Sequence, residues 1–272
     1  MISMLHKLPR LSRKRAALVA LLLAPLIGCS TKESSTSPSL VLLVAAASDL
    51  QSALPELIRE FRHQSPSLEI QPTFGSSGQI AEQIKAGAPY DLFLAANEAY
   101  VRDLATEHYI DAPSIRPYAI GALVLAVNRE VREPVDSLTD LTRPALKKVA
   151  IANPDLAPYG AAAKRALTRA GLWEKLQPKM VLADSVRQAL LFVQTGNAEA
   201  GFVSRAMSNV AELRTLEIDP SLYDPIVQTL GIVSATKKRD AAESFARFLT
   251  SPQGQKLLIS HGFKATPAET GP

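Results

Sequence analysis

The sequence predicts an α/β protein folded as two lobes, each a mostly parallel sheet with helices on both faces. Three observations lead there. Short apolar runs alternate along the chain with segments whose apolar residues recur every three to four positions. The first strand candidate, 40–46 (LVLLVAA), is apolar throughout, as a strand covered on both faces must be. Two groups of such elements follow one another, each about 100 residues long, which suits two lobes with a ligand cleft better than one wide sheet.

The elements follow in order. After 40–46 comes a helix carrying Leu50, Leu54, Leu57, Ile58 and Phe61 on one face. Residues 68–73 alternate as a short strand, and a helix through Ile80 and Ile84 ends at Gly87. Strand 91–95 (DLFLA) precedes a helix capped by Asn97 that runs to about Glu107. The second group has strands at 121–127, 148–152, 179–182 and 200–203, with helices at 160–170 and 184–195. A late strand at 230–234 and two helices, about 240–249 and 252–260, close the chain. No short internal repeat is visible.

The amino terminus reads as a leader. Lys7, Arg10, Arg13, Lys14 and Arg15 form a basic region, and 16–27 is an apolar run of 12 residues, too short to span a bilayer and suited to a signal peptide. It ends in Leu26-Ile27-Gly28-Cys29. That pattern suits lipoprotein processing after residue 28, leaving an acylated Cys29. Cys29 is the chain's single cysteine, so no internal disulfide is expected. Residues 29–39, Ser-rich after the cysteine, read as a flexible tether. The whole chain has 30 basic and 26 acidic residues, but the leader holds five of the basic and none of the acidic ones, so the mature net charge is −1. Nucleic acid is therefore not an expected partner, and any anion affinity has to be local.

Four segments share a chemical feature: a short polar or glycine-rich turn follows a strand and opens a helix, whose first N–H groups lack intrahelical partners and favour an anion. In AAASDL, Ser48 offers a hydroxyl, though Ser48 or Asp49 serves equally as an N-cap; Asp49 would contribute its backbone N–H, with the carboxylate turned away. In FGSSGQ, Ser77 sits in a turn that would also suit a solvent-facing loop. It is neither a Gly-x-Ser-x-Gly elbow nor a phosphate loop. In NPDLAPYG, Tyr159 either points its phenol into the cleft or packs as core. In ADSVRQA, Asp184 is expected to cap a helix whose first-turn amides, around Val186, face the cleft, while Arg187 stays out of the site.

Signs of catalysis are sparse. His63, His108 and His261 show no metal-ligand spacing, and no Ser-His-Asp set is marked by the sequence. The expectation is a binding protein and not an enzyme. A lipid-anchored α/β hydrolase is the remote alternative.

Taken together, VAAASDL, FGSSGQIAEQIKAGAPYDLFLAAN, NPDLAPYGAAAKRAL, DSVRQAL with VQTGNAEAGFVS, and FLTSPQGQKLLISHGF resemble the periplasmic molybdate-binding proteins of ABC importers, within the type II substrate-binding proteins. Their order and spacing carry the likeness, over about 40–263. The resemblance implies a bilobal type II fold of two mixed-sheet lobes joined by two crossover segments, lobe one at 40–122 plus 228–272 and lobe two at 123–227. It implies capture of molybdate, and of tungstate, with delivery to a permease driven by a cytoplasmic ATPase. Another tetrahedral oxyanion, sulfate or phosphate, is the alternative. No cofactor is implied. Carried over by position, Ser48, Ser77 and the Val186 amide would hold the anion, with the Asp49 amide adjacent. Tyr159 falls where some members use a tyrosine. These are contacts to the anion's oxygens, not ligands to its metal. Ser204 stands where some relatives have another tyrosine, so either Tyr159 supplies that hydroxyl or the site has one donor fewer. The expected protein is an exported, membrane-anchored monomer.

Overall fold

The structure, a computed structural model, describes residues 40–266. The expected signal peptide, the lipid site at Cys29 and the tether lie outside the described residues.

Two five-stranded mixed sheets organise the described chain. The first contains β1 (Leu40–Ala47), β2 (Leu68–Gly75), β3 (Leu92–Ala95), β4 (Arg116–Gly121) and β10 (Ile226–Ile232), in the order β2-β1-β3-β10-β4. β1 pairs in parallel with β2 and β3, while β10 runs antiparallel to β3 and β4. The second contains β5 (Leu123–Asn128), β6 (Val149–Ala152), β7 (Met180–Ala183), β8 (Ala200–Ser204) and β9 (Leu213–Glu217), in the order β7-β6-β8-β5-β9. Its pattern is the same: three parallel strands, then an antiparallel one, then an edge. The repeat that the sequence does not show is thus present in the topology.

Each sheet is covered on both faces. Leu42, Val44 and Ala46 of β1 pack under α1 (Leu54–Gln64), α7 (Arg239–Thr250) and α8 (Pro252–Ser260). The alternate residue Ala45 joins Phe93 and Ala95 under α2 (Ser77–Lys85) and α3 (Glu98–Thr106). In the second lobe α4 (Pro158–Arg169), the short α5 (Trp173–Leu176) and α6 (Val186–Gln194) enclose one large core.

The predicted strand 121–127 divides: β4 ends at Gly121, and β5 starts at Leu123 in the other sheet. β4 and β9 escaped the sequence pattern because both are edge strands. Pro117 is tolerated there, and the charged alternation of LRTLE suits an exposed edge. The expected return to lobe one at 228 falls inside β10, which begins at Ile226. The Tyr223 hydroxyl accepts a hydrogen bond from the Leu123 N–H at 3.2 Å and so ties one crossover to the other.

The predicted first helix is also broken. A 3-10 turn, Ser48–Gln51, precedes α1, which starts afresh with Pro55 in its first turn. Proline has no N–H to give to a continuing helix but is well placed at a new start.

Candidate functional site

The lobes meet along a closed seam. Ala47 and Ala96, at the ends of β1 and β3, pack into the core of the second lobe, and Ala206 of the second lobe packs into the core of the first. Among the hydrogen bonds that cross it are Gly78 N–H to the Leu156 carbonyl at 2.9 Å, Ser52 Oγ to the Ala206 carbonyl at 2.7 Å, and Tyr100 Oη to the Asp155 carbonyl at 3.3 Å. Gly78 has to be glycine for this approach, since a Cβ there would sit 2.8 Å from the Leu156 carbonyl oxygen.

The predicted site residues gather on this seam. Ser48 opens the 3-10 turn after β1 and is buried; among the described residues no group pairs with its hydroxyl. Ser77 is the first residue of α2. Its Oγ accepts the Ala96 N–H at 3.0 Å, which leaves its own hydroxyl proton free. Neighbouring Ser76 is the N-cap, in a capping box with Gln79. Val186 is the first residue of α6, also buried, and α6 packs against the Ser48–Gln51 turn. The cap expected of Asp184 is made by Ser185, whose Oγ accepts the Gln188 N–H at 3.3 Å. Asp184 stands one residue too early, and its N–H is held by the Gln188 side chain. Arg187 lies apart, lining a pocket of about 340 Å³ with Gln51, Ser52 and His261.

Asp49, Tyr159 and Ser204 form a chain that the sequence did not reveal. The Tyr159 hydroxyl donates to Asp49 Oδ2 at 2.9 Å, and Ser204 Oγ donates to Tyr159 Oη at 3.0 Å. Gln228 Nε2 donates to the same Asp49 oxygen at 2.6 Å, and the Tyr118 hydroxyl donates to Gln228 Oε1 at 3.0 Å. All five side chains are buried. The phenol proton expected to face an anion is therefore turned to a carboxylate, and the Ser204 proton to the phenol. The Asp49 carboxylate, expected to be turned away, bridges the lobes. Gly121 makes room for this bridge, because a Cβ there would overlap the Tyr159 hydroxyl.

Burial pushes the Asp49 carboxyl up to about 6, against the lowering effect of hydrogen bonds from Tyr159 and Gln228 and, less, of the nearby N–H dipoles of Asp49 and Leu50. Burial, followed by the Asp49 charge, holds the phenols of Tyr118 and Tyr159 well above the usual tyrosine range, so both stay neutral. Asp49 Oδ1 is sealed from solvent with no hydrogen-bond partner among the described residues.

Gln228 and Tyr118 were missed in the sequence. The signal for Gln228 was there: a Gln-Thr pair interrupts the apolar strand IVQTLGI. Tyr118 lay in the unrecognised edge strand. His261 is the C-cap of α8, and its Nε2 lies 2.7 Å from Glu56 Oε2.

Two mixed α/β lobes, joined by two crossovers and closed on a polar seam where helix starts converge, define a bilobal solute-binding protein of the periplasmic type. The chain belongs to the family of bacterial extracellular solute-binding proteins, whose profile matches residues 42–264. It is 35% identical over 254 residues to the ABC transporter substrate-binding lipoprotein YvgL of Bacillus subtilis, covering 92% of this chain and 96% of that one. It is 33% identical over 252 residues to the molybdate-binding protein ModA of Azotobacter vinelandii, covering 90% and 96%. The solved periplasmic molybdate-binding protein of Azotobacter vinelandii superposes with a TM-score of 0.78 at 30% identity, covering 83% of this chain and all of that one.

Proposed function

We propose that this protein captures molybdate outside the cytoplasm and delivers it to an ABC-type importer. One observation carries the reading: the Ser48 hydroxyl, the Ser77 hydroxyl and the first turn of α6 at Val186 come from both lobes to one buried seam. The names of the relatives indicate which anion such donors hold.

The chemistry fits an oxyanion bound without a cation. Ser77 keeps a proton to donate because its lone pair already takes the Ala96 N–H. The Val186 N–H, at the first position of α6, has no intrahelical acceptor. Closure of the lobes excludes water and strengthens each such contact to a charge. Tyr159 and Ser204 hold the lobes together through Asp49, so the site has one hydroxyl donor fewer than a tyrosine facing the anion would supply. Tungstate, nearly the size of molybdate, is expected to bind as well. The smaller sulfate leaves donors underfilled, at about 1–3 kcal/mol for each buried donor left unpaired.

The protein works by binding and release, without a cofactor and without turnover, as a monomer. Ser77 has a backbone N–H beside it where a hydrolase would need a base. A lipid on Cys29 and the tether would hold the lobes near a permease and its ATPase.

A thermal-melt comparison of the mature chain tests this. Millimolar molybdate and tungstate are expected to raise Tm by several degrees, because a ligand that binds only the folded state stabilises it by mass action. A rise with sulfate or phosphate and none with molybdate overturns the assignment.

A further inference from the structure

The buried carboxylate of Asp49 sits next in the chain to Ser48, in a cleft read above as an anion site. It is fully buried, yet Oδ1 has no partner among the described residues. A carboxylate accepts hydrogen bonds and cannot donate them. It is therefore the wrong group to face a bare dianion and the right one to face an O–H.

Among the described residues no cation pairs with it. Its neighbours are Tyr159 from α4, Tyr118 from β4, and the uncharged Gln228 from β10. The charged groups on elements packed against its turn are Arg187 on α6, Arg205 after β8, Glu69 on β2, and Glu56, Arg59, Glu60, Arg62 and His63 on α1. Arg205 pairs with Glu217, and Glu56 with Arg59 and His261. Among the described residues none of these groups is paired with Asp49. Closing the lobes on a dianion thus places two like charges together away from water, where their repulsion is far stronger than in solvent.

We propose that Asp49 is a selectivity determinant of the cleft: capture of a tetrahedral dianion takes up one proton from solvent, shared between Asp49 Oδ1 and an oxygen of the bound anion. The inference rests on reading the cleft as the oxyanion site. The step is a proton transfer alone. One proton leaves water, no bond to the central atom changes, and the Asp49–anion pair loses one negative charge. Basicity then adds to size in the choice of molybdate over sulfate, whereas phosphate, more basic still, is turned away by size alone. Sulfate is the conjugate base of a strong acid and shares a proton poorly. Molybdate and tungstate are the bases of weaker acids and share it well.

Calorimetric titration of the mature chain with molybdate between pH 6.5 and 8.5, in buffers of different ionisation heat, counts the protons taken up. About one proton per anion is expected above pH 7, with affinity falling about tenfold per pH unit. Asp49→Asn is expected to abolish the uptake, flatten the pH profile and reduce the molybdate-to-sulfate affinity ratio at least about tenfold. Asp49→Ser serves as a second neutral replacement should the amide disturb folding, and the wild-type proton count stands without either variant. Molybdate binding with no proton uptake, or uptake that persists in the neutral variants, overturns the proposal. Silence with molybdate and heat with sulfate overturns the molybdate reading instead, and the proton count is then taken with sulfate.

Discussion

The Tyr159 hydroxyl of the second lobe donates to Asp49 Oδ2 of the first at 2.9 Å, inside a seam closed to solvent. A buried acid at a lobe interface links closure, stability and pH, and the first expectation follows from it. The Asp49 carboxyl is raised from 3.8 to about 6 by burial. Its folded state holds the proton more tightly than the unfolded one. The associated stability is fully present below pH 3.8 and is lost as pH rises through about 6. The loss amounts to about 3 kcal/mol. Asp49→Asn should therefore raise Tm at pH 8, and the gain should vanish near pH 4. Calorimetric melts across that range check it; a variant less stable than wild type at pH 8 contradicts it.

Ser48 and Ser77 should differ in a way that their sequence context does not show. Both alanine variants are expected to weaken anion binding by about 1–3 kcal/mol. Removing the Ser77 Oγ also strands the buried Ala96 N–H, so Ser77→Ala should lower stability by about 1–3 kcal/mol as well. Ser48→Ala, which strands nothing among the described residues, should melt like wild type. Equal losses of Tm in both variants would refute this distinction.

Gly78 tests closure. An alanine Cβ would lie 2.8 Å from the Leu156 carbonyl oxygen and 3.0 Å from its Cα, both on the opposite lobe. Gly78→Ala should fold but hold the cleft ajar, with a larger radius of gyration by small-angle scattering and at least about tenfold weaker anion binding, since overpacking of this kind costs about 1–3 kcal/mol. Unchanged scattering with unchanged affinity contradicts the closed seam described here.

Gly121→Ala should disturb the bridge itself. Its Cβ would overlap the Tyr159 hydroxyl and approach Gln228 Nε2 to 3.1 Å. Displacing the tyrosine leaves Asp49 with fewer donors, so a loss of about 3 kcal/mol or more is expected in denaturant unfolding. A neutral result would mean that the bridge contributes little.

Much of the fold was legible because burial writes itself into composition. β1 and residues 123–127 of β5 are apolar throughout and lie inside their sheets, away from the edges, and Asn97 caps α3 as its position predicted. The edges were not legible: Arg116-Pro117 and LRTLE carry the polar residues that an exposed strand tolerates. At the site, helix starts could be read from Ser77 and Val186. The Asp49–Gln228–Tyr118 chain could not, because its members stand up to 179 positions apart and meet only when β10 returns to the first sheet. Asp184 and Ser185 are both good caps by residue type, and local geometry chose the second.

The central claim is that this cleft holds a tetrahedral oxyanion of molybdate's size. Isothermal titration of the mature chain at pH 7 with molybdate, tungstate, sulfate and phosphate tests it most directly. The account expects saturable one-to-one binding of molybdate and tungstate, with sulfate and phosphate at least about 100-fold weaker, a gap of about 2.7 kcal/mol. Tight binding of sulfate or phosphate with no heat from molybdate would contradict it.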